Sequence, residues 1–310
     1  MKKLFSFLLI GALLFSLAAC ADTWETEDAP TLRIGALKGP TGIGLVGLMD
    51  DDDYNFTLAG SADELVPRLL RGELELACLP ANLASVLYHS SEGEIQVLAV
   101  NTLGVLYIVA HGDTVQSPDD LNGKTVYAAG KGATPEYTLR YILSKYNISA
   151  NIEWKAEHTE CLAALAQDEN AVALLPQPFA TAATMQLEDA RIALDLNDLQ
   201  TDGEELVTGC IAVRRDIADT FPDAIRDFLS DYEASVAFVN ESPSDAAVLT
   251  EQHGIISAAV AEAAIPYCHI VCITGAEMKE RLGAYLSLLA EQNPDAVGGA
   301  LPDEDFYRFA

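Results

Sequence analysis

The chain has 310 residues, enough for about two domains of ordinary size, and half of its residues are hydrophobic, so sizeable cores are possible. Its 18 basic and 47 acidic residues give a formal charge of −29, which repels phosphate backbones and disfavours nucleic acid as a partner. Five scattered histidines and six scattered cysteines disfavour a histidine-rich metal receptor and a disulfide scaffold.

The first nineteen residues have the features of a secretory signal peptide. Lys2 and Lys3 precede an apolar run over residues 4–19. The run ends in Leu17-Ala18-Ala19-Cys20, which resembles the bacterial lipobox, in which the cysteine receives lipid and becomes the mature N-terminus. We predict a signal peptide over residues 1–19, lipidation of Cys20 and an extracytoplasmic location at the cell membrane. An ordinary signal peptide with a chance cysteine is the alternative.

A short polar segment follows the predicted cleavage site. Residues 20–30 are acidic and have no hydrophobic periodicity, as expected of a tether between membrane and folded body. Cleavage before Cys20 would remove two of the 18 basic residues and bring the formal charge to −31.

Strand and helix patterns alternate from residue 31, which is typical of a mainly parallel α/β sheet. The first group of predicted strands is Leu32–Leu37, Tyr54–Ala59, Leu74–Leu79 and Ile95–Val100. Its predicted helices are Ile43–Met49, a helix capped by Ser61, and Ala81–His89. Val105–Ala110 is then an apolar strand with no helix before it.

The pattern begins again after a turn-rich stretch. The second group of predicted strands is Lys124–Ala128, Ile152–Lys155, Ala171–Leu175 and Arg191–Leu194. Its predicted helices are Pro135–Tyr146, Thr159–Gln167 and one that starts at Phe179. A second lone apolar strand, Leu206–Val213, is followed by the helices Pro222–Asn240, Pro243–His253, Ser257–Ala264 and Gly275–Gln292.

Two α/β groups joined by two lone strands predict two lobes with a hinge and a ligand cleft between them. We assign residues 31–111 and 208–310 to the first lobe and residues 112–207 to the second. One large sheet is the alternative.

Loops beyond the carboxyl ends of parallel strands are where ligands bind in such folds. Two of these loops share the pattern Lys-Gly-x-Thr, at Lys38 and at Lys131, and each opens a helix. Helix N-termini attract anions, and nearby glycines let a ligand approach the backbone. An acidic group clamped from both lobes is therefore expected, with solvated lysines as the alternative. The predicted ligand contacts are Lys38, Gly39, Thr41, Gly42, Gly60, Ser61, Pro80, Asn82, Asn101, Lys131, Gly132, Thr134, Gln177 and Thr208.

Three other patterns favour structural interpretations. The G-x-G-x-x-G run that starts at Gly42 lies too far from the preceding strand for a dinucleotide site, so we predict close helix packing and no cofactor. Cys268 and Cys272 favour a packed or locally bridged pair over a metal site. The four aspartates 50–53 favour a solvated turn over a calcium loop. No catalytic motif is found, so we predict no enzyme activity.

Several segments resemble the solute-binding lipoproteins of ABC importers in the nitrate, sulfonate, taurine and thiamine-precursor group. The resemblance rests on the lipobox, LRIGALKGPTGIGLVGLM, KGATPEYTLRYIL, IPYCHIVCITGAEMKERLGAYLSLL and NPDAVGGALPDEDFYRF. It implies a two-lobed type II periplasmic-binding fold with a two-strand hinge, a small-molecule ligand, and a permease and its ATPase as partners. Family ligand contacts carry over by loop, to the loops that start at Lys38, Gly60, Pro80, Asn101, Lys131 and Gln177.

Two other functions remain open at this point. Some enzymes of thiamine-pyrimidine and menaquinone synthesis resemble soluble versions of this fold, although the signal peptide argues against them. A lipoprotein that senses its ligand and contacts a receptor is the second alternative.

Overall fold

A computed structural model describes residues 31–199 and 205–309. The predicted signal peptide, Cys20 and the predicted tether lie outside the described residues. The eleven strands are β1 Leu32–Leu37, β2 Tyr54–Ala59, β3 Leu76–Pro80, β4 Ile95–Leu103, β5 Leu106–His111, β6 Thr125–Ala129, β7 Asn151–Lys155, β8 Val172–Pro176, β9 Ala190–Asp195, β10 Val207–Arg214 and β11 Ile270–Ile273. The α-helices are α1 Pro40–Ile43, α2 Ala62–Leu70, α3 Ala81–Ser90, α4 Thr134–Lys145, α5 His158–Gln167, α6 Phe179–Gln186, α7 Leu196–Leu199, α8 Arg215–Thr220, α9 Pro222–Glu241, α10 Pro243–Gln252, α11 Ala258–Ala264 and α12 Gly275–Gln292.

The strands form two separate sheets. The first has six strands in the order β11-β4-β10-β3-β1-β2, and the second has five in the order β7-β6-β8-β5-β9. In the first sheet β1 pairs in parallel with β2 and β3, and in the second sheet β6 pairs in parallel with β7 and β8, whereas the lone strands β10 and β5 pair antiparallel to both of their neighbours. Two lobes, rather than one large sheet, are therefore confirmed. We call the six-stranded lobe the first lobe and the five-stranded one the second lobe.

The chain crosses from the first lobe to the second at Gly104, between β4 and β5. Because β5 pairs with β8 and β9, the first crossing lies here and not at residue 111, the predicted end of the first segment of the first lobe. The Gly104 carbonyl accepts a hydrogen bond from Asn197 Nδ2 at 3.1 Å and lies 2.5 Å from Nδ1 of His269. The chain returns between α7 and β10.

The helix predicted over Ile43–Met49 is wrong. Only Pro40–Ile43 is helical, and turns follow. Gly42, Gly44 and Gly47 are poor helix formers, and each leaves no room for a Cβ atom: an added one would lie 2.7–2.9 Å from neighbouring atoms. As predicted for the G-x-G-x-x-G run, these glycines serve close packing.

Each lobe has its own apolar core. In the first lobe Ile34, Phe228 and Tyr232 are among the fully buried side chains, and in the second lobe Val126, Leu139 and Ile142. The C-terminal residues return to the first lobe, where Tyr307 bridges Val97 and the Arg308 N–H donates to the Val97 carbonyl at 2.9 Å. The first lobe thus contains both ends of the described chain.

Five cysteines lie in the described residues, and all five are free thiols: Cys78, Cys161, Cys210, Cys268 and Cys272. Cys268 and Cys272 are therefore not bridged; Cys268 belongs to the first-lobe core and Cys272 packs against that core. Burial raises the pKa of Cys272, the one that is partly exposed, to about 11. The thiols are thus protonated at neutral pH.

Within residues 31–199 and 205–309, none of the helices combines the length and the apolar character that a membrane crossing needs.

Candidate functional site

A cleft of about 110 Å³ lies between the two lobes. The first lobe contributes the loops after β1, β2 and β3 and parts of β4 and β10, and the second contributes the starts of α4, α5 and α6 and the end of β8. This agrees with the expectation that strand-to-helix loops face the cleft. A cavity of about 150 Å³ accommodates benzene, so the cleft as it stands suits a small ligand.

Eight of the predicted contact residues line the cleft. They are Lys38, Gly39, Thr41, Gly60, Pro80, Thr134, Gln177 and Thr208. Six predicted contact residues lie elsewhere, namely Gly42, Ser61, Asn82, Asn101, Lys131 and Gly132.

Four of those six have structural roles in the first lobe or between the lobes. Gly42 packs against the Leu37 carbonyl, and Ser61 caps α2 with Glu64, whose carboxylate accepts the N–H groups of Gly60 and Ser61. Asn101 is fully buried, facing Gly209 of β10. Asn82 is also fully buried and hydrogen-bonded to both lobes.

The loop residues Lys131 and Gly132 do not line the cleft. The Lys131 side chain is exposed outside the cleft, and the Gly132 N–H donates to the Glu136 carboxylate at 2.7 Å. Arg140 Nε donates to the same carboxylate at 2.7 Å. A carboxylate already faces the N-terminus of α4, where it satisfies the positive end of the helix dipole.

Lys38 is the only formally charged residue that lines the cleft, among the residues the structure describes. Its ammonium group has no hydrogen bond or ion pair to another described residue, so it is free to meet a ligand. Nearby, Gly39 is in the extended conformation at φ 171°, and a Cβ atom added there would meet nothing within 4 Å. Gly39 thus leaves the first-lobe wall of the cleft open.

Gln177 is a hydrogen-bond donor directed into the cleft. The side chain is fully buried, and its Oε1 accepts from the Thr181 N–H at 3.2 Å and from the Thr181 hydroxyl at 2.8 Å. These two donors fix the orientation of the amide. Nε2 is left buried without a partner in the protein. A ligand acceptor atom is expected at this position.

Two further polar groups in the cleft have no partner in the protein, Thr102 Oγ1 in the first lobe and His158 Nδ1 in the second. Burial lowers the pKa of His158 to about 4, so its imidazole is neutral at pH 7. The ring centroid lies 5.4 Å from that of Phe179, which also lines the cleft. Leaving a polar group buried and unbonded costs about 1–3 kcal/mol, so these groups favour occupation of the cleft by a polar ligand or by water.

His158 was not among the predicted contacts. His158 is the first residue of α5, the helix that follows β7. Its position just after the carboxyl end of a parallel strand was the signal that could have identified it. Glu157 and Glu160, which form the capping box of that helix, mark its start in the sequence.

Comparison with known proteins gives a family and several structural relatives. Residues 51–264 match the sequence model of the family described as "ABC transporter, phosphonate, periplasmic substrate-binding protein". No curated protein sequence matches the chain.

The solved structures that resemble the chain share its fold. An ABC transporter protein from Parabacteroides distasonis is 23% identical, with a TM-score of 0.77 over 91% of this chain and 99% of that one. The periplasmic aliphatic sulphonate binding protein SsuA from Escherichia coli is 16% identical, with a TM-score of 0.69 over 88% and 92%. The alkanesulfonate-binding protein SsuA from Xanthomonas axonopodis pv. citri, bound to MOPS, is 16% identical, with a TM-score of 0.68 over 89% and 96%. The predicted two-lobed periplasmic-binding fold is confirmed.

Proposed function

The chain belongs to the phosphonate-binding family of periplasmic substrate-binding proteins of ABC transporters, and from this premise we propose that it captures a small polar or anionic solute by lobe closure and delivers it to an importer permease. The observation that carries the proposal is the set of unpartnered polar groups around one cleft. Thr102 comes from the first lobe, and Gln177 and His158 come from the second. Buried polar groups in folded proteins are normally hydrogen-bonded, so a group of exceptions around one space supports a bound ligand.

The single positive charge of the cleft favours a ligand with at most one negative charge. Lys38 provides one positive charge, and the neutral imidazole of His158 adds none. The family is named for phosphonates and two of the relatives for sulfonates. Because a buried charge needs a partner, a single lysine suits a singly charged or neutral polar solute better than a dianion.

Thermal unfolding with a panel of small solutes tests this function. The panel contains methanesulfonate, methylphosphonate, small carboxylates and uncharged heterocycles. A ligand present at 100 times its dissociation constant stabilises the folded state by about 2.7 kcal/mol. Small-angle scattering should then show a smaller radius of gyration with the stabilising solute. A solute that binds without changing the radius would contradict lobe closure.

We also propose that the chain is anchored by lipid on Cys20. Cys20→Ala is expected to abolish the incorporation of a labelled fatty acid and to release the protein from the membrane fraction. Cys272→Ala is the matched control, since it removes the partly exposed thiol of the folded body and should leave the label in place. Label retained by Cys20→Ala would contradict the anchor.

A further inference from the structure

Asn82 joins the two lobes beside the cleft without lining it. The residue lies in the first turn of α3, in the first lobe, and is fully buried. Its Nδ2 donates to the Ala296 carbonyl at 3.1 Å and to the Gly132 carbonyl at 3.3 Å. Its Oδ1 accepts from the Thr134 hydroxyl at 3.3 Å. One amide group therefore makes three hydrogen bonds to two separate segments.

The partners of Asn82 divide between the lobes. Ala296 belongs to the C-terminal turn Pro294–Val297, which Ser85 of α3 also holds by a 2.7 Å hydrogen bond to Val297. Gly132 belongs to the loop before α4, and Thr134 is the first residue of α4, in the second lobe. Asn82 is thus fixed to the first lobe by Ala296, and its other two hydrogen bonds exist only while the lobes are in contact.

The same interface contains groups that favour separation. The Tyr285 hydroxyl in α12 lies beside the hydroxyls of Thr134 and Thr138 in α4, and the Tyr285 and Thr138 hydroxyls are buried without a well-formed hydrogen bond. Opening of the lobes would let water bond to both hydroxyls, whereas it would break two hydrogen bonds of Asn82. The two effects overlap in size, because a net hydrogen bond is worth about 0.5–1.5 kcal/mol and an unsatisfied buried group costs about 1–3 kcal/mol.

We propose that Asn82 is a positioning residue that sets the balance between open and closed lobes in the absence of ligand and holds Thr134 at the cleft wall. This inference rests on the proposed lobe closure and concerns its regulation. A ligand shifts an open–closed equilibrium only by its difference in affinity for the two states. The apparent affinity for a ligand rises with the fraction of the ligand-free protein that is already closed, because less binding free energy is used to close the lobes. Asn82 therefore tunes the apparent affinity of the cleft without touching the ligand.

Small-angle scattering and amide hydrogen exchange of the ligand-free full chain test the inference. Asn82→Ala is expected to shift the open-to-closed ratio about tenfold toward open, the combined effect of two modest hydrogen bonds. The radius of gyration should rise, and amides 130–138 should exchange faster. Thr134→Val removes one of these hydrogen bonds from the second lobe, so it should shift the ratio in the same direction even if Asn82→Ala folds poorly.

Tyr285→Phe should shift the ratio of open to closed lobes in the opposite direction, toward closed. It removes a buried hydroxyl that favours opening, so the ligand-free radius should fall and amides 130–138 should exchange more slowly. Loss of packing alone would not produce opposite shifts in these variants. Radii and exchange rates that do not differ among the wild type, Asn82→Ala and Thr134→Val would overturn the inference. Failure of the proposed function would show differently, as no change of radius when a verified ligand is added to the wild type.

Discussion

Gly39→Leu is expected to abolish ligand binding while leaving the fold intact. Gly39 lines the cleft in an extended conformation that any residue adopts, and a Cβ atom there meets nothing within 4 Å. The leucine side chain would therefore be accommodated by the fold but would occupy much of a cleft of about 110 Å³. The stabilisation by a verified ligand, about 2.7 kcal/mol at 100 times its dissociation constant, should disappear from thermal unfolding curves.

The control for Gly39→Leu is Ala237→Leu. Ala237 is exposed on α9, so the same side chain is introduced at a position that does not line the cleft. Both variants should unfold near the wild-type temperature without ligand, and only Ala237→Leu should respond to ligand. Wild-type affinity in Gly39→Leu would show that the ligand binds elsewhere.

Lys38→Ala is expected to weaken the binding of an anionic ligand by about 30-fold or more. Lys38 supplies the only formal charge among the described residues of the cleft lining, and it has no partner in the described protein. Lys38 is exposed without ligand, and we expect closure on the ligand to desolvate the contact. Loss of such a contact costs about 2–5 kcal/mol, and 2 kcal/mol corresponds to about 30-fold. Calorimetric titration at two salt concentrations measures the effect, which should decrease at high salt.

Lys131→Ala is the matched control, because it removes the same charge from an exposed position outside the cleft. Its affinity should remain close to that of the wild type. Equal losses in both variants would indicate a long-range effect of net charge. A large loss in Lys131→Ala alone would show that the second loop binds the anion after all.

Much of the fold follows from local patterns in the sequence. β2 and α12 have the predicted bounds, Tyr54–Ala59 and Gly275–Gln292, because a hydrophobic strand and an amphipathic helix are each encoded by their own residues. β11 was missed, since four residues after a turn carry too little periodicity to show a strand. The predicted helix at Ile43–Met49 is wrong because the glycines in this region are required by close tertiary contacts. A local sequence pattern does not show such contacts.

The candidate site was predicted by loop more accurately than by residue. The expectation that strand ends face the cleft placed Lys38, Gly39 and Gln177 correctly on its wall. The structure does not place Lys38 and Lys131 symmetrically: Lys38 lines the cleft, whereas Lys131 lies outside it and the neighbouring Gly132 N–H donates to Glu136. The hydrogen-bond partner of a backbone N–H group depends on three-dimensional contacts. The sequence therefore did not show that Glu136 competes with a ligand for the Gly132 N–H.

The position of β10 inside the first sheet fixes the order in which the chain can assemble. β10 pairs with β3 on one side and β4 on the other, so Ile211 lies opposite both Cys78 and Ala99. The strand pairs of the second lobe form within residues 106–195, a continuous segment. During synthesis the second lobe can therefore complete its sheet first, whereas β3 and β4 must keep unpaired edges until residue 214 is available.

Late pairing over such long sequence separations makes folding slow, and unpaired strand edges are prone to association with other chains. A chain that ends before β10 would contain the strands of the second lobe, the strand group β2-β1-β3 and the single strand β4, whose edges toward β10 would be exposed. Truncations in this region are thus more damaging than their length suggests, because they remove the strand that joins the two halves of the first lobe.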